Sequence, residues 1–210
     1  FTDPGVPAPT GYLAMAMDSV RDAFPGGRYR CWGLEEATEL IADHFDRDVL
    51  RAFRCLRPYA YKADLFKYCV LHLHGGWYAD AGTRVLQRPM DLPFATSERP
   101  PRLVVFRGTG LWDAAWACSI SFLYAAPGHE VLPTAIAEVV DNCRHQRYGA
   151  NPLSITMTAF GRAIAIHNVR EQIEVGLIVD VTGAPYERAH QLGEHGHVAA
   201  REPRLHAGDL

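Results

Sequence analysis

The chain comprises 210 residues, 48% of them apolar, with 21 Lys and Arg against 24 Asp and Glu. A chain of this size buries roughly 70% of its unfolded surface in one core, and a net charge of −3 with a pI near 6.4 argues against a nucleic-acid binder, which would show a basic face. No apolar run is long enough to span a bilayer, and the opening residues do not read as a cleavable signal; without an initiator Met or a closing element, residues are expected to be missing at both ends.

The first predicted element is a helix over 12–24, with Leu13, Met17, Val20 and Phe24 at helical spacing. Pro25-Gly26-Gly27 closes it. Residues 28–32 read as a short strand, and 34–45 and 48–56 as two helices, the first acidic at its start, as a helix dipole prefers. The next helix begins near Tyr59 and places Ala63, Leu65, Phe66, Cys69, Val70 and Leu73 on one broad face. Asp64, Lys67 and Tyr68 share the opposite wedge, and Asp64 and Lys67, three apart, are neighbours. Gly75 stands where a left-handed residue ends a helix. Trp77-Tyr78-Ala79 then has strand-like composition and delivers Asp80 to the strand's end, where open α/β sheets collect ligands.

Strands follow at 84–86 and 103–106, separated by a Pro-rich loop, and at 120–125. Residues 129–143 form the clearest amphipathic helix, with Leu132, Ala135, Ile136, Val139, Val140 and Cys143 on one stripe. A helix at 155–166 and a strand at 175–181 complete the pattern. Such alternation predicts an α/β sheet with helices on its faces, in one domain spanning 1–210.

Five cysteines, odd in number, widely spaced and without a C-x-x-C pair, argue against a zinc site or disulfide framework. Cys69 and Cys143 fall on apolar helix faces, where free Cys acts as a small hydrophobe. A reducing, cytoplasmic setting is expected. His72 and His74 lie about 200° apart around their helix and cannot share one ion. His129, after Pro127-Gly128, reads as a capping or exposed residue, and His195 and His197 as exposed loop residues. Gly108-Thr109-Gly110 lacks the remaining residues of a phosphate or dinucleotide loop, and no G-x-S-x-G elbow is present.

Several of these side chains admit two readings from sequence. Asp64 is either a solvated helix residue or a ligand contact, and Lys67 either its ion-pair partner or a contact to sugar hydroxyls or phosphate. Gly75 and Gly76 make the turn, and Gly76 also leaves the backbone open to close approach by a nucleotide. Tyr78 belongs to the core or stands just behind the site. Trp32 and Trp77 read as buried tryptophans rather than stacking platforms.

The segment KADLFKY followed by LHGGWYADAG resembles the nucleotide-sugar region of family 32 glycosyltransferases, which carry a DXD-type sugar-binding motif. Asp64, Lys67, Tyr68, Leu71, Gly75, Gly76, Tyr78 and Asp80 stand at matching places. FPGGRYRCW at 24–32, FLYAAPGHEVL at 122–132 and NPLSITMTAF at 151–160 extend the similarity thinly. The resemblance implies a GT-A type, Rossmann-like mixed sheet flanked by helices. It implies transfer of a hexose from a nucleoside diphosphate sugar to an acceptor hydroxyl, with retention at the anomeric carbon. It assigns donor binding to Asp64, Lys67, Gly76, Tyr78 and Asp80. It further implies Mn²⁺ or Mg²⁺ held by Asp80 and by a residue near the C-terminus, where His206 stands.

One position departs from the family pattern. Gly82 occupies the second acidic place of the motif, which weakens a site for a hard cation that seeks oxygen ligands. The departure supports a competing reading, a nucleotide-sugar or glycan-binding protein of the same fold that has lost turnover. A structural α/β domain with no small-molecule site is the third reading. No catalytic nucleophile or base stands out, and the sugar, base and acceptor (saccharide, lipid or protein) stay open.

Overall fold

A computed structural model describes residues 8–86, 88–91, 101–107, 118–147, 155–167, 173–177 and 197–198. The apolar segments β3 (Leu103–Arg107) and β4 (Cys118–Ala125) pair antiparallel at the centre of a four-stranded sheet. On one side β4 pairs antiparallel with β1 (Gly76–Ala79), running from Gly76 opposite Ala125 to Ala79 opposite Phe122. On the other, β3 pairs parallel with β5 (Ile173–Leu177), completing the order β1-β4-β3-β5. The β3–β4 register shifts between Val104 and Phe106, the irregularity of a bulge that re-aims a strand. A separate parallel pair joins β2 (Arg84–Val85) to β6 (His197–Val198).

Period-two alternation divides this sheet's faces. Leu103, Val105 and Leu123 point into a large core with Leu65 and Phe66 of α4 (Tyr59–His74), Leu132 and Val139 of α5 (Val131–Arg144), and Phe160 of α6 (Met157–His167). The same core takes Ile41 of α2 (Leu34–His44) and Phe53 of α3 (Arg47–Cys55). Val104, Phe106 and Phe122 point the other way, onto Ala23 of α1 (Gly11–Ala23) and Val85. The arrangement is a mixed α/β fold with helices on both faces, as the alternating pattern predicts.

Local chemistry fixes the helix ends. The Asp46 carboxylate accepts from the amides of Asp48 and Val49, capping α3. Glu36 Oε2 accepts from the Gly33 amide at 2.9 Å, holding the start of α2. α4 stops at Gly75, whose φ is +63° and whose amide donates to Leu71 at 2.8 Å.

Four expectations need correction. Residues 28–32 form no strand; they run as a loop. The wedge of Asp64, Lys67 and Tyr68 is interior, because α4 is buried at every position from 64 to 71; it passes between the sheet and the other helices, so projection finds no solvent face. His129 is fully buried, its Nδ1 accepting from the Val131 amide, so it caps but is not exposed. His197 belongs to β6 rather than a loop. Cys69 is buried and Cys143 partly so; all five cysteines are free. Among the described residues no helix is long and apolar enough to cross a membrane. Residues 108–110, 178–181, His195 and His206 lie outside the described residues.

Candidate functional site

Asp80 is positioned by an extension of the β1–β4 ladder. Its amide donates to the Ser121 carbonyl at 2.8 Å, and a tight turn follows in which Thr83 N donates to Asp80 O at 2.8 Å. Thr83 Oγ1 donates to the same Ser121 carbonyl at 3.2 Å. At the opposite end of β1, a Cβ on Gly75 would lie 2.5 Å from Pro127 Cδ. The Gly128 amide donates to His72 O at 2.8 Å. The chain leaving β4 thus seats directly on the α4–β1 turn, and only glycine at 75 allows the approach.

Lys67 lies behind Asp80 with no exposed surface. Its ammonium sits 3.0 Å from Asp64 Oδ1, 3.1 Å from Asp80 Oδ1 and 2.8 Å from the Ile120 carbonyl, to which it donates. Three donors meet three acceptors, the full capacity of an ammonium. The Tyr78 ring centroid lies 4.9 Å from Nζ, within cation–π range. Burial alone would lower the Lys67 pKa, but Asp80 and Asp64 outweigh it and hold the group above its ordinary value.

The rest of the cluster is equally committed. Asp64 Oδ2 accepts from Thr156 Oγ1 at 2.7 Å, the Tyr68 hydroxyl donates to Thr156 O at 3.2 Å, and the Tyr68 ring stacks on Phe160 at 5.1 Å. Asp64 therefore has both oxygens engaged and is nearly buried. Asp80 differs, with 41% of its side chain open. Burial raises the Asp80 pKa, Lys67 opposes the rise, and the Tyr78 hydroxyl is hydrogen-bonded to the carboxylate. Water reaching the open part of Asp80 tempers the burial effect.

Asp80 opens on a cleft of about 1150 Å³, whose lining includes Phe24, Arg28, Arg30, Trp32, Trp77 and Asp80. Trp32 and Trp77 are half-buried rather than buried. Trp32 packs edge-on against Phe66 at 5.2 Å, and Trp77 stacks on Phe122 at 4.8 Å. The Arg30 guanidinium lies 3.6 Å from the Trp32 ring centroid and 3.1 Å from Glu36 Oε1.

Of the five expected donor residues, Tyr78 and Asp80 line the cleft, while Asp64 and Lys67 lie behind them. Gly76, at φ +98°, has open space where a Cβ would stand but is not part of the lining; its neighbour Gly75 is. The expectation of a strand at 28–32 hid Arg28 and Arg30, and their one sequence signal was two arginines just ahead of Trp32.

The described side chains do not suit a divalent cation. Asp80 Oδ1 already bonds an ammonium, Asp64 is buried and spent on Lys67 and Thr156, and Gly82 offers no ligand atom. Among the described residues no three His, Cys, Asp or Glu side chains converge. Beside phosphates and water a hard ion takes one or two protein carboxylates, and the described set provides one, shared with an ammonium.

No protein-family model matches the chain, and no curated protein does. Among solved structures it is similar to one titled "PaToxG Glycosyltransferase", with a TM-score of 0.52 and 15% identity. The match covers 74% of this chain and 62% of that one. At this identity the likeness concerns fold: the chain has a glycosyltransferase-like fold, and membership of family 32 is not shown by it.

Proposed function

We propose that the chain is a glycosyltransferase domain of the GT-A type, with a Rossmann-like donor half, that binds a nucleoside diphosphate sugar in the cleft before Asp80. The observation that carries this reading is a half-open carboxylate at the end of an edge strand, on the wall of a cleft lined by Trp32, Trp77, Arg28 and Arg30. Such a cleft offers flat apolar surface for a base or sugar and positive charge for phosphate. In this reading Asp80 accepts hydrogen bonds from ribose or sugar hydroxyls. Lys67, fixed by Asp64, keeps that carboxylate ionised and in place.

Transfer of a hexose breaks the bond between the anomeric carbon and the phosphate oxygen, and the electron pair stays with the diphosphate. The acceptor oxygen bonds to the same carbon, and its proton passes to the released phosphate or to water. The chain's part is to hold the donor and offset the charge growing on the leaving group. Retention is proposed on the motif's resemblance to family 32, and all 210 residues are assigned to this one domain.

Gly82 favours a second reading, a binding protein of the same fold without turnover. A panel of nucleoside diphosphate sugars, followed by mass spectrometry for released or transferred sugar, separates the two. Turnover that falls at least about tenfold in Asp80→Asn is the expected result. Binding without turnover would establish the second reading, and neither binding nor turnover would overturn both.

A further inference from the structure

A diphosphate leaving a sugar must meet positive charge, and the place where a divalent ion would stand is already committed. Asp80 Oδ1 faces the Lys67 ammonium at 3.1 Å, so a dication bound there would meet a fixed like charge. Lys67 cannot serve the phosphate itself, because it is fully buried and its three donors are engaged. The other cations that line the cleft stand on α1 and on the loop after Gly26-Gly27.

Arg28 and Arg30 both line the cleft that Asp80 lines. Arg30 is held ready: Trp32 lies beneath it at 3.6 Å, and Glu36, itself anchored by the Gly33 amide, pairs with it at 3.1 Å. Arg28 is exposed, and among the described residues no carboxylate pairs with it. Arg21, on α1, lines the same cleft in an arrangement like that of Arg30, paired with Asp18 and lying over the Tyr29 ring. A guanidinium presents its donors in a planar fork that matches phosphate oxygens two at a time.

We propose that Arg28 and Arg30 form a metal-independent diphosphate site, so that this cleft binds nucleoside diphosphates without a divalent ion. The proposal rests on the donor-binding reading above and names what replaces the cation in it. Arg28 is the primary contact, since among the described residues no carboxylate competes for it. Arg30 is the oriented second, its plane set by Trp32. Asp80 then meets hydroxyl groups rather than metal.

Calorimetric titration of uridine and guanosine diphosphates into the 210-residue chain tests it, once with EDTA and once with Mn²⁺. At least one nucleotide is expected to bind in EDTA, with an affinity within about threefold of that with Mn²⁺, and to weaken as salt screens the charges. Arg28→Gln should weaken that binding about tenfold, the scale of one charge-assisted hydrogen bond. Arg51→Gln, on the exposed side of α3 outside the cleft, should not. Arg28 is exposed, so its variant should keep the wild-type thermal midpoint; Arg30→Lys, which keeps charge but loses the fork, should fall between. Binding that requires Mn²⁺, or that survives Arg28→Gln unchanged, overturns this inference and leaves the donor-binding reading standing. Absence of nucleotide binding in both conditions overturns the two together.

Discussion

Two sets of charges lie close to β1, and burial divides their work. Behind the strand, Asp64, Lys67 and Thr156 satisfy one another so fully that no ligand could reach them without breaking the core. Beside it, Arg28, Arg30 and the open part of Asp80 face a cleft. The residue types are alike, yet the first set is framework and the second is available for binding. Asp80 belongs to both, and the Lys67–Asp80 contact is where the framework fixes the site.

The largest effect should come from breaking the buried set. Lys67→Met removes the ammonium and leaves two carboxylates facing each other, a change that costs about 3–5 kcal/mol when one member of a buried pair is lost. Urea denaturation at neutral pH measures it. In wild type the raised Lys67 pKa means its contribution is complete below the unfolded value near ~10.4 and is lost only as pH rises through the higher folded value. In the variant, burial and the facing Asp64 carboxylate should raise the Asp80 pKa above the unfolded ~3.9. The folded variant then binds more protons than the unfolded chain, so its stability should recover as pH falls toward mild acid. A variant as stable as wild type at neutral pH would mean these charges are solvated after all.

Next in size are the glycines that join the two regions. Gly75→Ala places a Cβ against Pro127 and forces a non-glycine residue to φ +63°, so both clash and backbone strain act. The expected loss is about 2–3 kcal/mol. Gly76→Ala has φ +98° but open space, leaving the conformational term alone, about 1 kcal/mol. Equal thermal shifts for the two would show that Pro127 yields, and that the α4–β1 turn does not fix the strand as described.

Much of this was legible in the sequence because it is local. The α4 helix, its glycine stop and the strand ending at Asp80 follow from periodicity and turn chemistry, and α1, α5 and α6 lie close to where apolar spacing puts them. The role of the wedge on α4 was not legible. Asp64 and Lys67 three apart look the same whether they face solvent or a core, and what decides between these is Thr156, 92 positions away from Asp64. Likewise His129 reads as a capping or exposed residue after Pro-Gly; it caps α5, and burial is complete. The loop at 28–32 differs for the opposite reason: alternating Arg, Tyr, Arg, Cys and Trp imitates a strand, but among the described residues no strand pairs with it. The two-residue β6 has no pattern long enough to detect.

A smaller stability effect, with a larger functional one, is expected at the residue shared by both sets. Asp80→Asn leaves Lys67 with Asp64 and the Ile120 carbonyl, so the thermal midpoint should move little. Donor affinity should nonetheless fall at least about tenfold, or 1.4 kcal/mol, because the neutral amide replaces a charged acceptor. Titration of a nucleoside diphosphate sugar into both proteins is the measurement. Unchanged affinity would confine Asp80 to the framework.

The smallest structural effect is expected at Gly82. It occupies the turn between Asp80 and Thr83, has no left-handed φ, and has no atom within 4 Å of where a Cβ would stand. Nothing in the backbone requires glycine there. Gly82→Asp should therefore change stability by no more than about 0.5 kcal/mol, as for a surface substitution away from special features. Its consequence lies in the cleft, where a second carboxylate would join Asp80 and supply charge that the Lys67 ammonium does not already neutralise. Hard cations respond to the number of charged oxygens, so Mn²⁺ titration should show weak or undetectable binding to wild type and measurable binding to Gly82→Asp. Tight Mn²⁺ binding to the nucleotide-free wild type would mean that ligands beyond the described residues complete a metal site, and would remove the distinction between committed and available charge around Asp80.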